Sequence, residues 1–190
     1  MSSRCRYISG DTNSIVVLAD PSYPVEKGDL IYIHPATGAG RPASALNNEG
    51  SVAANQLGFA EYFVGVCEQS NGLQSGTGAY QNETTFRQDG AYQKTFRVAT
   101  SGRFEFDCPA QVFTQPIAMG VYATASGCSN QKVDALASPA PLSAAIGIAR
   151  PSVAALESGA SMDRVQVEIM GKKAPGTTPV AGTYSGTSGQ

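Results

Sequence analysis

The sequence predicts a mainly β protein, a small barrel or sandwich of short antiparallel strands with one short helix and extended N- and C-terminal arms. Charged residues make up only 15% of the 190-residue chain, well below the roughly 25% of ordinary soluble domains. The chain also holds 21 glycines and 11 prolines, which supply the many turns that short strands need. Its apolar runs are brief and rich in β-branched and aromatic residues, as strands are.

Three regions follow from this pattern. Residues 1–24 predict an N-terminal arm that ends in a short strand, because a single apolar run, Ile15 to Ala19, stands among polar residues. Residues 25–173 predict a β-rich core. Residues 174–190 have the Gly/Thr/Ser-rich composition of a linker, so we expect a C-terminal tail there.

Within the core, local patterns place the first elements. Leu30 to Ile33 and Phe63 to Cys67 are β-branched and aromatic runs that predict strands. Between them, apolar residues recur at helical spacing from Val52 to Tyr62, which predicts a short helix.

The stretch from Thr95 to Asp107 predicts a hairpin. A three-residue loop, Thr100 to Gly102, would place Arg97 opposite Glu105 on an outer face, whereas a one-residue slip would mix charged and apolar side chains. The expected core face of this hairpin consists of Phe96, Val98, Phe104 and Phe106.

The second half of the chain partly repeats the first. Phe63 to Cys67 matches Ala145 to Ala149, and a run starting at Arg97 matches one starting at Arg164. These matches suggest two repeated units, residues 25–108 and 117–171. They are short and degenerate, so chance similarity among β-strands is the alternative explanation.

The sequence offers no catalytic or metal-binding constellation, so we expect neither an enzyme nor a cofactor. His34 is the only histidine, and a dyad with Cys67 or Cys108 would have to use it. The four cysteines are widely spaced without a short-spaced ligand pair, which argues against zinc. A surface or structural histidine and inert free thiols are the simpler interpretation.

Composition also bears on partners. A net charge of −2 gives no reason to expect nucleic acid, and the longest apolar run is far too short for the roughly 20 residues of a membrane span. The N-terminus has no secretory signal pattern, so synthesis in a cytoplasm is expected. Between Cys108 and Ala149 the only charged residues are Lys132 and Asp134, and charge depletion marks interface cores.

A series of motifs carries a family resemblance over roughly residues 24–170. In chain order these are Val25-Glu26-Lys27-Gly28-Asp29-Leu30-Ile31-Tyr32, Arg41-Pro42-Ala43-Ser44, Ala53-Ala54-Asn55-Gln56, Phe63-Val64-Gly65-Val66, and Arg97 to Cys108. The series resembles the capsid cement (decoration, head-stabilising) proteins of tailed bacteriophages and prophages.

The resemblance implies a non-enzymatic virion protein, made in the host bacterial cytoplasm, that binds the outer surface of an expanded capsid. Its partners would be the major capsid protein and further copies of itself, in a homotrimer more readily than a dimer. Terminal arms would clasp adjacent subunits. The candidate contact residues in the two arms are Arg4, Arg6, Tyr7, Ile15, Val17, Pro179, Val180 and Tyr184.

Two other functions compete with this one. A carbohydrate-binding or adhesive β-module, such as a head fibre or surface lectin, would use aromatic and amide side chains of the polar loop at 69–91 and just beyond it. The candidates are Tyr80, Asn82, Tyr92 and Gln93. A cysteine or serine hydrolase would depend on His34.

Overall fold

The computed structural model describes residues 5–69, 95–152, 156 and 159–171. Its strands are β1 (Arg6–Ser9), β2 (Ser14–Leu18), β3 (Leu30–Ile33), β4 (Gly40–Pro42), β5 (Phe63–Cys67), β6 (Thr95–Ala99), β7 (Ser101–Val112), β8 (Ala118–Thr124), β9 (Gly127–Ala135), β10 (Gly147–Ala149) and β11 (Ser161–Met170). Helix α1 is Val52–Tyr62, and short 3-10 turns lie at Ala43–Ala45 and Leu142–Ala144. The predictions of a mainly β fold and of a helix at 52–62 are confirmed.

The strands form two sheets. One has five strands in the order β2-β6-β5-β3-β4. The other has the order β1-β7-β11-β10-β8-β9, and β9 also meets β7. Strands β7, β11, β10, β8 and β9 therefore close into a barrel, while β1 lies outside it along part of one edge of β7.

The two sheets share one topology. Strands β2 to β6, residues 14–99, form the first unit, and strands β7 to β11, residues 101–170, form the second. The order β2-β6-β5-β3-β4 of the first matches the order β7-β11-β10-β8-β9 of the second, position by position. The boundary between the two units therefore lies at Thr100. The repeats expected at 25–108 and 117–171 differ from these units, because the first repeat begins after β2 and ends inside β7.

The outer strands of both units meet in the same way. In the first unit a parallel bridge joins Ala19 to Gly40, and in the second a parallel pair joins Asp107 to Lys132. Every other strand pairing in the two units is antiparallel. Each unit is thus a five-stranded sheet that curves until its two edge strands meet. These are β2 and β4 in the first unit and β7 and β9 in the second.

The expected hairpin from Thr95 to Asp107 is wrong, because β6 and β7 lie in different sheets. The N–H of Thr100 donates to the carbonyl oxygen of Asn13 (2.7 Å), and its carbonyl oxygen accepts from the N–H of Gly171 (2.9 Å). The chain thus passes straight from one sheet to the other. All four residues of the expected core face are buried, but Phe96 and Val98 belong to a core of the first unit, and Phe104 and Phe106 to a larger core that residues of both units form.

The expected pairing of Arg97 with Glu105 fails for the same reason. Arg97 instead lies 3.7 Å from the carboxylate of Glu68. Glu105 pairs with Arg6 at 3.2 Å and with Arg164 at 2.8 Å. Each charged residue finds its partner in its own sheet.

Helix α1 belongs to the first unit but packs mainly on β8 and on the 3-10 turn of the second. It begins where the side chain of Ser51 accepts a hydrogen bond from the N–H of Ala54, a standard N-cap. Phe59 and Ala60 on its inner face are fully buried and join the larger core. The helix therefore links the two units.

The side chain of Gln56, on the same helix, is completely buried. Its amide nitrogen donates to the carbonyl oxygens of Val121 and Ala135, both at 3.2 Å, and its oxygen accepts from the N–H of Ala137 at 2.8 Å. Gly120 makes room for this amide, because a Cβ at that position would lie 3.1 Å from the Gln56 side chain. One amide thus satisfies backbone groups of β8, of β9 and of the residues that follow β9.

Further polar contacts join the units. Asn55, also fully buried, donates to the carbonyl oxygen of Thr124 at 2.8 Å. Gln131 of the second unit donates to the buried carboxylate of Asp29 at 2.9 Å. Buried polar groups are costly unless paired, so these contacts specify how the units sit against each other.

Replacing Gln56 with Met should destabilise the fold by at least about 2 kcal/mol, because buried backbone groups lose their partners and each such loss costs roughly 1–3 kcal/mol. Met keeps the size and the helix propensity. Urea unfolding followed by circular dichroism measures the loss. The matched control is Leu57→Gln, on the exposed face of α1, with an expected change within about 0.5 kcal/mol. Equal losses in the two variants would contradict a linking role for Gln56.

Candidate functional site

The expected N-terminal arm is described from residue 5 onwards, and there it forms β1 and β2. Arg6 lies opposite Glu105 and forms an exposed ion pair with it. Tyr7 lies opposite Phe104, with the two rings edge to face and their centroids 5.5 Å apart. Half of the Tyr7 side chain remains exposed. These two contact candidates thus hold β1 against the second unit while still reaching the surface.

The other two described candidates, Ile15 and Val17, point inwards. Val17 is only 4% exposed, and Ile15 packs against the same core. Since side chains alternate along a strand, the outward positions of β2 are its neighbours, Val16 at 69% and Leu18 at 52% exposure. Val17 is therefore wrong as a contact residue, and Ile15 reaches the surface only in part. The accessible apolar side chains are Val16 and Leu18.

Several other candidates lie outside the described residues. Among the contact residues these are Arg4, Pro179, Val180 and Tyr184. The possible carbohydrate platform of Tyr80, Asn82, Tyr92 and Gln93 is also outside them.

The charge-poor stretch between Cys108 and Ala149 supplies much of the surface of the second unit. Leu142 in its 3-10 turn is 80% exposed, and Val112 is 51% exposed. Of the two charges, Lys132 lies over the ring of Tyr122, 4.3 Å from its centroid. Burial raises the pKa of the other, Asp134, against the opposing effects of the Ala135 N–H and Lys132. The second unit thus exposes large apolar side chains in a stretch of sequence that holds two charged residues.

His34 follows β3 and lines a groove of about 440 Å³ beside α1. Its ring Nδ1 lies 3.3 Å from the hydroxyl of Thr37. The described lining includes Glu49, Glu61 and Tyr62 but no serine, threonine or cysteine. A cysteine or serine hydrolase that used His34 would need one of those side chains in this groove, and the described lining holds neither; the hydroxyl near the ring is that of Thr37.

All four cysteines are free. Burial raises the pKa of Cys67 to about 12 and the pKa of Cys108 and Cys128 to about 11. Burial also raises the pKa of Cys5 far above its ordinary value. Because the thiolate is the nucleophile, these thiols are poor nucleophiles near neutral pH.

Two further features of the described part of the chain bear on other functions. It holds no group of three or more histidine, cysteine, aspartate or glutamate side chains placed to bind a metal ion. None of its helices has the length and apolar character of a membrane span.

A buried ion pair reinforces the closure of the first unit. Arg41 of β4 lies 2.7 Å from Asp20, just after β2, and its guanidinium stacks on the ring of Tyr23 at 4.6 Å. Burial alone would raise the pKa of Asp20, but hydrogen bonds from Ser22 and Arg41 outweigh it and lower the pKa below its ordinary value. This pair sits next to the bridge between β2 and β4 and has a structural role.

In the native protein at pH 8 the thiols should react with iodoacetamide at least about 100-fold more slowly than a free cysteine, because a pKa near 11 leaves about one thiolate in a thousand. Mass spectrometry after timed labelling measures the rate, and labelling in urea is the control, where all four cysteines should react. Rapid native labelling of any one of them would contradict the assignment of inert thiols.

Comparison with known proteins found no match to this chain among family models, curated proteins or solved structures.

Proposed function

We propose that this chain is a structural, non-enzymatic protein of the virion that binds the outer surface of an expanded phage capsid and cements adjacent major capsid subunits. The observation that carries the proposal is the surface of the second unit, where Leu142 is 80% exposed within a stretch that holds only two charges. Exposed apolar surface with few charges is typical of protein-binding sites. We propose the capsid as the partner because the ordered motifs between Val25 and Cys108 resemble those of cement proteins.

Two physical effects would make such a protein stabilise a shell. It binds several lattice subunits at once, so each contact after the first is effectively intramolecular, and avidity can exceed a single affinity by about 10²–10⁴. Because it binds the assembled, expanded lattice better than free subunits, it stabilises that lattice by linkage. The resemblance also implies self-association, with a trimer expected before a dimer.

The competing functions have less support. The carbohydrate-binding alternative depends on side chains outside the described residues, so no described contact favours it. The hydrolase alternative needs a serine or cysteine beside His34, whereas the described groove is lined by neither and the hydroxyl nearest its ring belongs to Thr37.

Purified protein added to expanded shells that lack it should bind at a fixed number of copies per shell and raise the shells' resistance to heat. Sedimentation of the shells with bound protein measures the stoichiometry, and scanning calorimetry measures the heat resistance. Unexpanded shells are the control. Absence of binding to expanded shells would overturn the proposal.

Replacing Leu142 with Lys should weaken shell binding at least about tenfold, because a charge then has to be desolvated in the contact. The matched control is Asn47→Lys, the same added charge at an exposed position of the first unit, with no expected effect. Equal affinities of the two variants would remove the role given to Leu142.

Two further variants separate the functions. His34→Ala should bind shells like the unaltered protein, whereas loss of function would favour the hydrolase. Deleting residues 174–190 should weaken binding while circular dichroism and thermal unfolding of the core stay unchanged; undiminished binding would remove the role of the tail.

A further inference from the structure

The outer edge of β2 is open where the corresponding edge of the second unit is covered. In the described part of the chain β2 pairs with β6 on one side, and on the other side only Ala19 meets another strand. In the second unit the equivalent strand, β7, carries β1 along Arg103 to Glu105 and meets β9 at Asp107. Among the described residues, the first unit therefore has no strand in the place that β1 fills in the second.

The equivalence of positions follows from strand register. Val98 lies opposite Ile15 in the first unit, and Val167 lies opposite Phe104 in the second. Val98 also lies opposite Cys67, and Val167 opposite Ala149. Cys67 and Ala149 each lie two residues beyond the glycine of the central strand, Gly65 in β5 and Gly147 in β10. Ile15 thus corresponds to Phe104. The open edge at 14–16 corresponds to the covered edge at 103–105.

Backbone groups on this edge point outwards. Asn13 accepts a hydrogen bond from Thr100, so these two residues form a hydrogen-bonded pair of the ladder between β2 and β6. Because such pairs alternate along antiparallel strands, Ile15 directs its N–H and C=O to β6. Ser14 and Val16 direct theirs to the open edge.

The strand that covers β7 matches the side chains it meets. Arg6 of β1 pairs with the carboxylate of Glu105, and the ring of Tyr7 packs on Phe104. In the first unit, Val16 stands in the place of Glu105 and Ile15 in the place of Phe104. A strand like β1 would therefore find no carboxylate for its arginine there. The open edge instead fits an uncharged strand with apolar side chains.

Strand β2 itself has this character. Its sequence, Ser-Ile-Val-Val-Leu, holds no charge, and Val16 is 69% exposed. Uncharged, exposed edges of this kind are templates for pairing between chains. We propose that β2 pairs antiparallel with β2 of a second copy, about a two-fold axis that passes beside Ile15.

In the proposed register the open backbone groups of Ser14 and Val16 meet those of the second copy. Ser14 faces Val16 of the second copy and exchanges both backbone hydrogen bonds with it, and Val16 faces Ser14 in return. Ile15 faces Ile15 of the second copy and takes the place that Tyr7 holds against Phe104. A shift by one residue would place Ile15 opposite Ser14 or Val16 of the second copy. The backbone N–H and C=O of Ile15 already bond β6, so this register is excluded.

Electrostatics permit the contact. On β6, Arg97 lies opposite Val16 and is paired with Glu68 at 3.7 Å. In the pair, the two Arg97 side chains are separated by three strand spacings, roughly 14 Å. This distance exceeds the Debye length of about 8 Å at physiological ionic strength, so their repulsion is small.

The interface is small compared with the roughly 1,600 Å² of a typical stable complex. The dimer is therefore weak and forms with increasing protein concentration. The contact is two-fold, so it gives a dimer where the resemblance implies a trimer, and it does not depend on the proposed function.

Crosslinking at single introduced cysteines tests the register directly. Ile15→Cys places two thiols opposite each other on the two-fold axis, in a pair with a Cα separation near 4.5 Å, which suits a disulfide. Val16→Cys is the matched control, because Val16 faces Ser14 and its distance to Val16 of the second copy exceeds the roughly 7 Å limit. With diamide as the oxidant, Ile15→Cys should form a covalent dimer at least about tenfold faster than Val16→Cys.

Sedimentation velocity over a concentration series supplies an independent measurement without new cysteines. The mass of the unaltered protein should rise from one chain towards two, and Val16→Lys should weaken this association at least about tenfold because it places like charges beside the axis. Leu142→Lys, with the same charge on the other unit, should associate like the unaltered protein.

Three outcomes would overturn the proposal. They are a monomer at every concentration, a trimer that Val16→Lys does not change, and equal crosslinking of the two cysteine variants. Circular dichroism of each variant shows that the fold is retained, so a failure to associate is not mistaken for unfolding.

Discussion

The buried amide of Gln56 fixes how the two units of this protein sit together. Its three hydrogen bonds reach two strands and a following residue of the second unit, so helix α1 can occupy only one place against the barrel. The second unit has no helix at the corresponding point, between its 3-10 turn and β10. Two units of one topology are therefore packed asymmetrically, and the asymmetry decides which edges and faces remain open.

Local patterns were enough to predict several strands and the helix, but not which strands pair. The helix at 52–62 and the strands at 30–33 and 63–67 follow from spacing and residue type. The hairpin at Thr100 was wrong because alternation in β6 and β7 fits any neighbouring strand equally well. Only the register shows that β6 pairs with β2 and β7 with β11, since both partners are distant in sequence.

The same limit explains the errors at the candidate site. Alternation places Ile15 and Val17 on one face and Val16 and Leu18 on the other, but both faces of Ser-Ile-Val-Val-Leu are apolar, so the sequence does not show which one is buried. By contrast, Phe63 to Cys67 aligned correctly with Ala145 to Ala149. Gly65 and Gly147 mark the same close approach to a neighbouring strand, where a Cβ would collide with a backbone oxygen.

The asymmetric packing also separates the two proposed contacts in space. The edge of β2 belongs to the first unit, and the exposed Leu142, in a stretch with only two charged residues, belongs to the second. A chain that pairs with its own copy through the first unit would still present the second to another protein. A pair of chains would then carry two such surfaces on one rigid body. Its attachment to a regular lattice would gain avidity wherever their spacing matches that of the lattice subunits.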